Sequence, residues 1–243
     1  EVWEAYDEVL DRTVAVKVIG VSIAGEKEFR DRFLREARLA AKLEHKNILP
    51  IYDFGMQEDT AYLVMPLLPG GTLKERLQQP LTPEDVIDIL ASIGAALDHA
   101  HESGILHRDV KPSNVLVDKA GHLLLADFGL AKATEGTSGL TMTGAILGTP
   151  LYMPPEQAAG LPVDSRADQY SLGVIAYQVL TGSLPFMAES PLSILNKHLT
   201  MAPPFPSLVR PELPERVDGV IQRVLAKSPD DRYPTCTDFV TDL

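Results

Sequence analysis

Between His107 and Asn114 the chain reads HRDVKPSN, which sets a carboxylate, Asp109, between the cations Arg108 and Lys111 and closes on the amide Asn114. A second carboxylate, Asp127, follows in Asp127-Phe128-Gly129. Asp127 and Asn114 both offer oxygen, the donor that a hard cation such as Mg²⁺ prefers, whereas Asp109 stays free to receive a proton. Charge this dense beside apolar sequence needs a rigid support.

Apolar positions supply that support. Val86, Leu90, Ile93, Leu97 and Ala100 recur at helical spacing and predict a helix over Pro83 to Ser103, capped by Thr82, opened by Pro83 and ended by Gly104. Val115 to Val117, a turn at Asp118 to Gly121, and His122 to Ala126 predict a hairpin of two short strands. Such a hairpin can return Asp127 to the side of Asp109 and Asn114, and Gly129 permits unusual backbone angles just beyond it.

Upstream, Val2 to Asp7 and Val14 to Ile19 predict an antiparallel pair around a turn at Asp11-Arg12-Thr13. Lys17 stands inside the second strand, where alone it could be a side chain that snorkels to water. The helix predicted over Glu26 to Leu43 argues otherwise. Glu36 shares its apolar stripe with Phe29, Phe33, Ala40 and Leu43, and a carboxylate turned to the core needs a cation. The expected partner is Lys17, with a neighbouring arginine as the alternative.

Two more strands are predicted at Ile48 to Phe54 and Ala61 to Met65, followed by a Pro- and Gly-rich connection from Pro66 to Gly71. Leu130 to Pro150 has no clear periodicity and reads as a long functional loop carrying Thr134, Thr137, Ser138, Thr141 and Thr143. Arg166 to Gly182 is apolar nearly all round, the mark of a central helix, and Asp168 at its start can accept backbone N–H groups. Helices are expected around it at Pro191 to Leu199, Pro214 to Ala226 and Thr235 to Leu243.

With 243 residues the chain can bury a sizeable core, and 45% hydrophobic with 23% charged residues places it among ordinary globular proteins. A net charge of -12 argues against bulk attraction to nucleic acid or anionic lipid, so any nucleotide must be held by local cations. One cysteine, Cys236, excludes an internal disulfide framework and fits a reducing compartment. The longest apolar stretch, near Leu172 to Leu180, is interrupted and too short to span a bilayer, and no signal peptide is expected.

HRDVKPSN followed by DFG resembles the catalytic loop and metal-binding motif of eukaryotic-type (Hanks-type) serine/threonine protein kinases. The resemblance covers the chain from Val2 onward, and Gly148 to Gln157 with Arg166 to Gly173 look most like bacterial members. It implies an α+β, two-lobed protein kinase fold: a small antiparallel β lobe with one helix over residues 1–66, and a larger, mainly helical lobe over 67–243. The family's Gly-rich loop, GxGxxGxV, would lie just ahead of Val2. The small lobe read here therefore starts after the first strand and that loop, and a loop ahead of Glu1 is expected, the alternative being a protein that lacks this lid over the phosphates.

By the same resemblance the activity would be transfer of the γ-phosphoryl group of ATP, with Mg²⁺ or Mn²⁺, to protein serine and threonine hydroxyls. Asp109, Lys111, Asn114 and Thr149 would be catalytic, and Asn114 and Asp127 would hold the metal. Lys17 and Glu36 would orient the phosphates, Met65 would set the depth of the nucleotide pocket, and Leu68 would meet adenine through its backbone. Val2, Ala15 and Leu116 would enclose the ring. Leu130 to Pro150 would be the activation loop, with Thr141 and Thr143 phosphorylated in trans and Arg108 as the cation that receives the phosphate. Glu156, in Pro154-Pro155-Glu156 where the family has APE, would pair with Arg232. Asp168 would anchor the catalytic loop.

Protein substrates are the implied partners, with a homodimer through the small lobe as in bacterial members. The implied location is cytoplasmic, on its own or as the cytosolic part of a single-span receptor kinase. A nucleotide-binding pseudokinase or scaffold is the alternative, but its usual sign is loss of the lysine or of either aspartate, and Lys17, Asp109 and Asp127 are all present. A small-molecule phosphotransferase shares a similar aspartate-to-asparagine loop, yet generally lacks the segment from DFG to Pro155-Glu156 and the Asp168 helix.

Overall fold

The computed structural model describes residues 1–20, 26–58, 60–128 and 150–243. Its first part is a four-stranded antiparallel sheet built from β1 (Val2–Asp7), β2 (Arg12–Gly20), β3 (Asp53–Gln57) and β4 (Thr60–Pro66), in the order β1-β2-β4-β3. Along β4 burial alternates, with Ala61, Leu63 and Met65 turned inward, as a strand with one covered face requires. The cover is α1 (Glu26–Ala40), whose Phe33 and Ala37 are fully buried in one cluster with Ala15, Leu63 and Met65.

Two boundaries differ from the sequence reading. The turn before β2 is completed at Asp11, which takes a left-handed φ of 52°, so pairing resumes already at Arg12. The strand expected from Ile48 begins only at Asp53, because Pro50 cannot donate to a ladder. Ile48 instead bridges to Leu125.

The second, larger apolar cluster lies among helices. Here α2 (Leu73–Arg76) is a single turn, α3 (Pro83–Glu102) carries the predicted stripe, and Leu90, Leu97 and Ala100 are fully buried. Thr82 caps α3 in a reciprocal box with Asp85, and Gly104 takes the left-handed φ of 74° that ends it. Beyond Pro150 come α4 (Pro155–Ala158), α5 (Ser165–Thr181), α6 (Pro191–Thr200), α7 (Pro206–Val209), α8 (Arg216–Val224) and α9 (Cys236–Asp242). The centre of this part is α5, buried on every face from Ala167 to Tyr177. At Gly173 a Cβ would stand 2.7 Å from Val224, so only glycine lets α8 approach this closely.

Between the two clusters lies the predicted hairpin, of β5 (Val115–Val117) and β6 (Leu123–Leu125), its second strand one residue shorter at each end than expected. Asn47 accepts from the Leu125 N–H at 2.8 Å, and its side chain donates to the Leu123 carbonyl at 2.8 Å. The strand that leads into Asp127 is thereby tied to the segment that follows α1.

Candidate active site

The loop from His107 to Asn114 is held from below by one carboxylate. Asp168, on the first turn of α5 and only 1% exposed, accepts the backbone N–H of His107 at 2.8 Å and of Arg108 at 2.7 Å. His101 of α3 completes its shell at 2.8 Å. Burial alone would push the Asp168 carboxyl up, but its bond to His101 and the charges of His101 and His107 hold it below the usual carboxylate range. Arg108 takes a left-handed φ of 67°, a conformation costly outside glycine that these two hydrogen bonds enforce.

The imidazole of His107, fully buried, joins the loop to the hairpin. Its Nε2 donates to the Ala126 carbonyl at 2.8 Å, its Nδ1 accepts from the Asp109 N–H at 3.2 Å, and Phe128 packs edge-on against it at 4.7 Å. Asn114 accepts from the Ala126 N–H at 2.8 Å through its backbone. Two contacts to Ala126 therefore fix Asp127, the next residue, relative to the loop.

Within that frame Asp109 Oδ2 meets Lys111 Nζ at 2.6 Å and Asn114 Nδ2 at 3.1 Å, while Asn114 Nδ2 also donates to the Asp109 carbonyl at 2.8 Å. Asp109 remains 42% exposed, open to an incoming group. With its amide nitrogen so engaged, Asn114 has its Oδ1 left to offer. Together with the Asp127 carboxylate this is an all-oxygen donor set, the kind that suits Mg²⁺ or Mn²⁺.

Lys17 and Glu36 correct the sequence reading. Lys17 Nζ lies 2.7 Å from Asp127 Oδ2, whereas Glu36 accepts from Arg35 at 2.8 Å. Glu36 does face inward, its side chain 15% exposed, so the helical spacing holds. The partner differs because Asp127, set at the end of β6 with a left-handed φ of 71°, competes for the one ammonium, and Arg35 satisfies Glu36 from the next position on the helix.

Of the residues read as an adenine pocket, Ala15 and Met65 are buried in the smaller cluster, and Leu68 and Leu116 pack against it. Val2 stands opposite Lys17 in the β1–β2 register and is 63% exposed, outside that cluster. A small cavity lined by Leu63, Met65, Asp127 and Phe128 lies next to them, so the Met65 side chain borders the space leading to Asp127. Thr141, Thr143, Thr149 and Gly129 lie outside the described residues.

The expected Glu156–Arg232 pair is formed, with both guanidinium ends on both carboxylate oxygens at 2.7 and 2.8 Å. Several positioning contacts were not read from the sequence. Gln157 donates to the Arg108 carbonyl at 3.4 Å, and Gln169 Nε2 donates to the Tyr233 and Thr235 carbonyls at 3.1 and 2.9 Å. For α2 a signal was available: Thr72 and Glu75 form the capping box that the spacing Thr-x-x-Glu announces.

Comparison with known proteins places this geometry. The family model described as "Protein kinase domain" matches residues 1–242. Serine/threonine-protein kinase PrkC of Bacillus subtilis is 41% identical over 244 residues, covering 100% of this chain and 38% of the relative. Serine/threonine-protein kinase PknB of Mycobacterium leprae is 40% identical over 249 residues, covering 100% of this chain and 40% of the relative. This chain thus spans well under half the length of these curated relatives. Among solved structures, the Mycobacterium tuberculosis PknI kinase domain superposes with a TM-score of 0.79 at 33% identity, covering 99% of this chain and 88% of that one.

Proposed function

This chain belongs to the protein kinase domain family, and we propose that it transfers the γ-phosphoryl group of ATP to serine and threonine hydroxyls of proteins. The observation that carries the proposal is the convergence of Lys17 from β2, Asp109 and Asn114 from the loop before β5, and Asp127 from the end of β6, three segments joined by direct hydrogen bonds. Asp109, half exposed at the loop's rim, orients the acceptor hydroxyl and receives its proton. Lys111, already on the Asp109 carboxylate at 2.6 Å, supplies positive charge where the transferred group passes. Asn114 Oδ1 and Asp127 would hold Mg²⁺. A cation there supplies charge neutralisation at the phosphate oxygens when bound. Lys17 turns from Asp127 to the α and β phosphates, and Glu36, released from Arg35, takes the other side of its ammonium.

The adenine is received between Ala15 and Leu116, with Val2 at the rim, Met65 at the back and the Leu68 backbone as its hydrogen-bonding edge. Thr149 joins Asp109 and Lys111 in selecting serine and threonine, and Thr141 and Thr143, once phosphorylated, dock on Arg108. The chain divides at 66/67 into the two lobes that close on the nucleotide. Protein substrates approach from the Asp109 side, a second copy meets the sheet, and the whole works on the cytoplasmic side. Among the described residues no helix is long and apolar enough to cross a membrane.

The test is phosphate transfer from γ-labelled ATP to a protein substrate. Asp109→Asn should lower kcat by at least about a thousandfold, since general-base assistance and orientation are lost together, with the unfolding midpoint unchanged. Retained turnover in that variant would rule the assignment out. Absence of transfer by the unaltered full-length protein would leave a nucleotide-binding scaffold.

A further inference from the structure

Away from the nucleotide cleft, three side chains of different ligand type meet where α3 packs on α9. Asp98 and His101 sit one turn apart on α3, and Cys236 is the first residue of α9. Their ligand atoms all lie within 4.8 Å of one another. Donors around a single tetrahedral ion with bonds of ~2.0–2.3 Å stand ~3.3–3.8 Å apart, so side-chain adjustments of about 1 Å bring the three into a first coordination shell.

The chemistry of the trio selects the ion. Thiolate sulfur with imidazole nitrogen and one carboxylate oxygen is a zinc set, whereas Mg²⁺ and Ca²⁺ take oxygen alone. Asp98 with a Cys236 thiolate carries two negative charges, which match one divalent cation. Asp98 has no ion-pair partner among the described residues; its oxygens accept the backbone N–H groups of Cys236 at 2.9 Å and Thr237 at 2.8 Å, and the Cys236 thiol hydrogen-bonds to the same carboxylate. His101 is oriented from behind, because its Nε2 is engaged by the buried Asp168 carboxylate at 2.8 Å, leaving Nδ1 as the nitrogen that can bind a metal without breaking that contact. A carboxylate on the far nitrogen is the arrangement that orients metal-ligating histidines and raises their basicity. Cys236 is buried at 1% exposure, while Asp98 and His101 are only partly buried, so the trio is reached by solvent from the α3 side.

We propose that Asp98, His101 and Cys236 form a binding site for one zinc-class divalent cation that clamps α3 to α9. On binding, the Cys236 S–H bond is exchanged for a metal–sulfur bond and one proton leaves to solvent. The ion thereby joins the scaffold behind Asp168, the residue that holds the backbone of the catalytic loop. This inference is independent of the phosphoryl-transfer reading.

Cobalt(II) added to the metal-free chain is the probe. Cys236 is the sole cysteine, so any cobalt–thiolate charge-transfer absorption reports on this site alone. The expected result is a near-ultraviolet band that saturates at one cobalt per chain, is bleached by Zn²⁺ and not by Mg²⁺, and is absent from Cys236→Ser. Asp98→Asn should weaken cobalt binding at least about tenfold, and Zn²⁺ should raise the unfolding midpoint of the unaltered chain but not of Cys236→Ser. No band in the folded, unaltered chain would overturn the proposal. So would a saturating band that Asp98→Asn and His101→Gln leave unchanged, since the thiol would then be acting alone.

Discussion

Replacing Arg232 by lysine keeps the charge and removes the fork, and the structure fixes what that should cost. The guanidinium has five N–H donors and uses all five. Nε donates to the Ala226 carbonyl at 2.9 Å, one terminal nitrogen to Glu156 at 2.7 Å and the Arg166 carbonyl at 2.8 Å, and the other to Glu156 at 2.8 Å and the Lys227 carbonyl at 3.2 Å. The side chains of Arg232 and Glu156 are 0% and 5% exposed, so no water stands ready to replace a lost donor. Lysine carries three donors on a single atom and cannot reach acceptors set around a planar fork. At least two acceptors are stranded, and each buried unpaired group costs about 1–3 kcal/mol.

Arg232→Lys should therefore destabilise by ~3 kcal/mol, and Arg232→Met, which leaves the Glu156 charge buried alone, by about 3–5 kcal/mol. For a chain of this size 1 kcal/mol moves the thermal midpoint by roughly 2–4 °C, so the lysine variant should melt roughly 6–12 °C lower. Urea unfolding followed by circular dichroism gives the free energies. The Arg232→Met/Glu156→Leu double variant should recover much of the loss, since two matched apolar side chains strand no charge. A lysine variant within about 0.5 kcal/mol of the unaltered protein, or losses that simply add in the double variant, would refute the reasoning.

Asp168→Asn leaves one of the three N–H donors now on the carboxylate facing an NH₂ group, and should cost about 2–4 kcal/mol. Because the folded-state carboxyl is held below its ordinary value of 3.8, its stabilisation is complete above that pH and is lost as pH falls through the folded value. The variant should accordingly show a flatter acid arm than the unaltered protein below the carboxyl's ordinary value of 3.8, and an unchanged arm would count against Asp168 as the anchor. At Lys227 the sign is reversed in origin, since burial and the Arg232 charge bring the ammonium down to about 8. The side-chain nitrogen has no hydrogen-bond partner among the described residues and lies 4.6 Å from the Phe186 ring centre. Its cost is full below pH 8 and fades as pH rises to the ordinary value of 10.5, so Lys227→Met should gain about 1 kcal/mol at pH 7, after discounting for partial exposure, and nothing above pH 10.5. A variant less stable than the parent at pH 7 would show that the ring contacts outweigh desolvation.

What the sequence made legible was periodicity and punctuation. The α3 stripe, its Thr82 cap and its Gly104 stop stand where the spacing put them, as do the all-round burial of α5 and the β5–β6 hairpin. Asp168 and the Glu156–Arg232 pair were also within reach, because the family resemblance supplied partners far apart in the chain. Boundaries set by a single residue were less visible, as Pro50 shows at the start of β3. Pairings decided by competition were not visible at all. Helical spacing states that Glu36 turns inward, and cannot say whether Lys17 will prefer it to Asp127. The Asp98, His101 and Cys236 cluster joins helices distant in the sequence with no motif to announce it.

The Lys17–Asp127 contact bears on how the site can be both preformed and open to a ligand. Each of the two carboxylates already has a lysine, Asp109 with Lys111 at 2.6 Å and Asp127 with Lys17 at 2.7 Å, so neither waits unpaired. A pair as exposed as the latter, at 27% and 23%, contributes on the order of 1 kcal/mol. A ligand bound with even a millimolar dissociation constant brings about 4 kcal/mol. The contact is therefore too weak to lock the cleft against a nucleotide phosphate, which offers Lys17 a replacement anion, while Asp127 is freed to face a cation. The residues that had to be rigid are the ones beneath. Asp168 and His107 are buried and fully hydrogen-bonded, and they hold the loop backbone while the lysine above them changes partner.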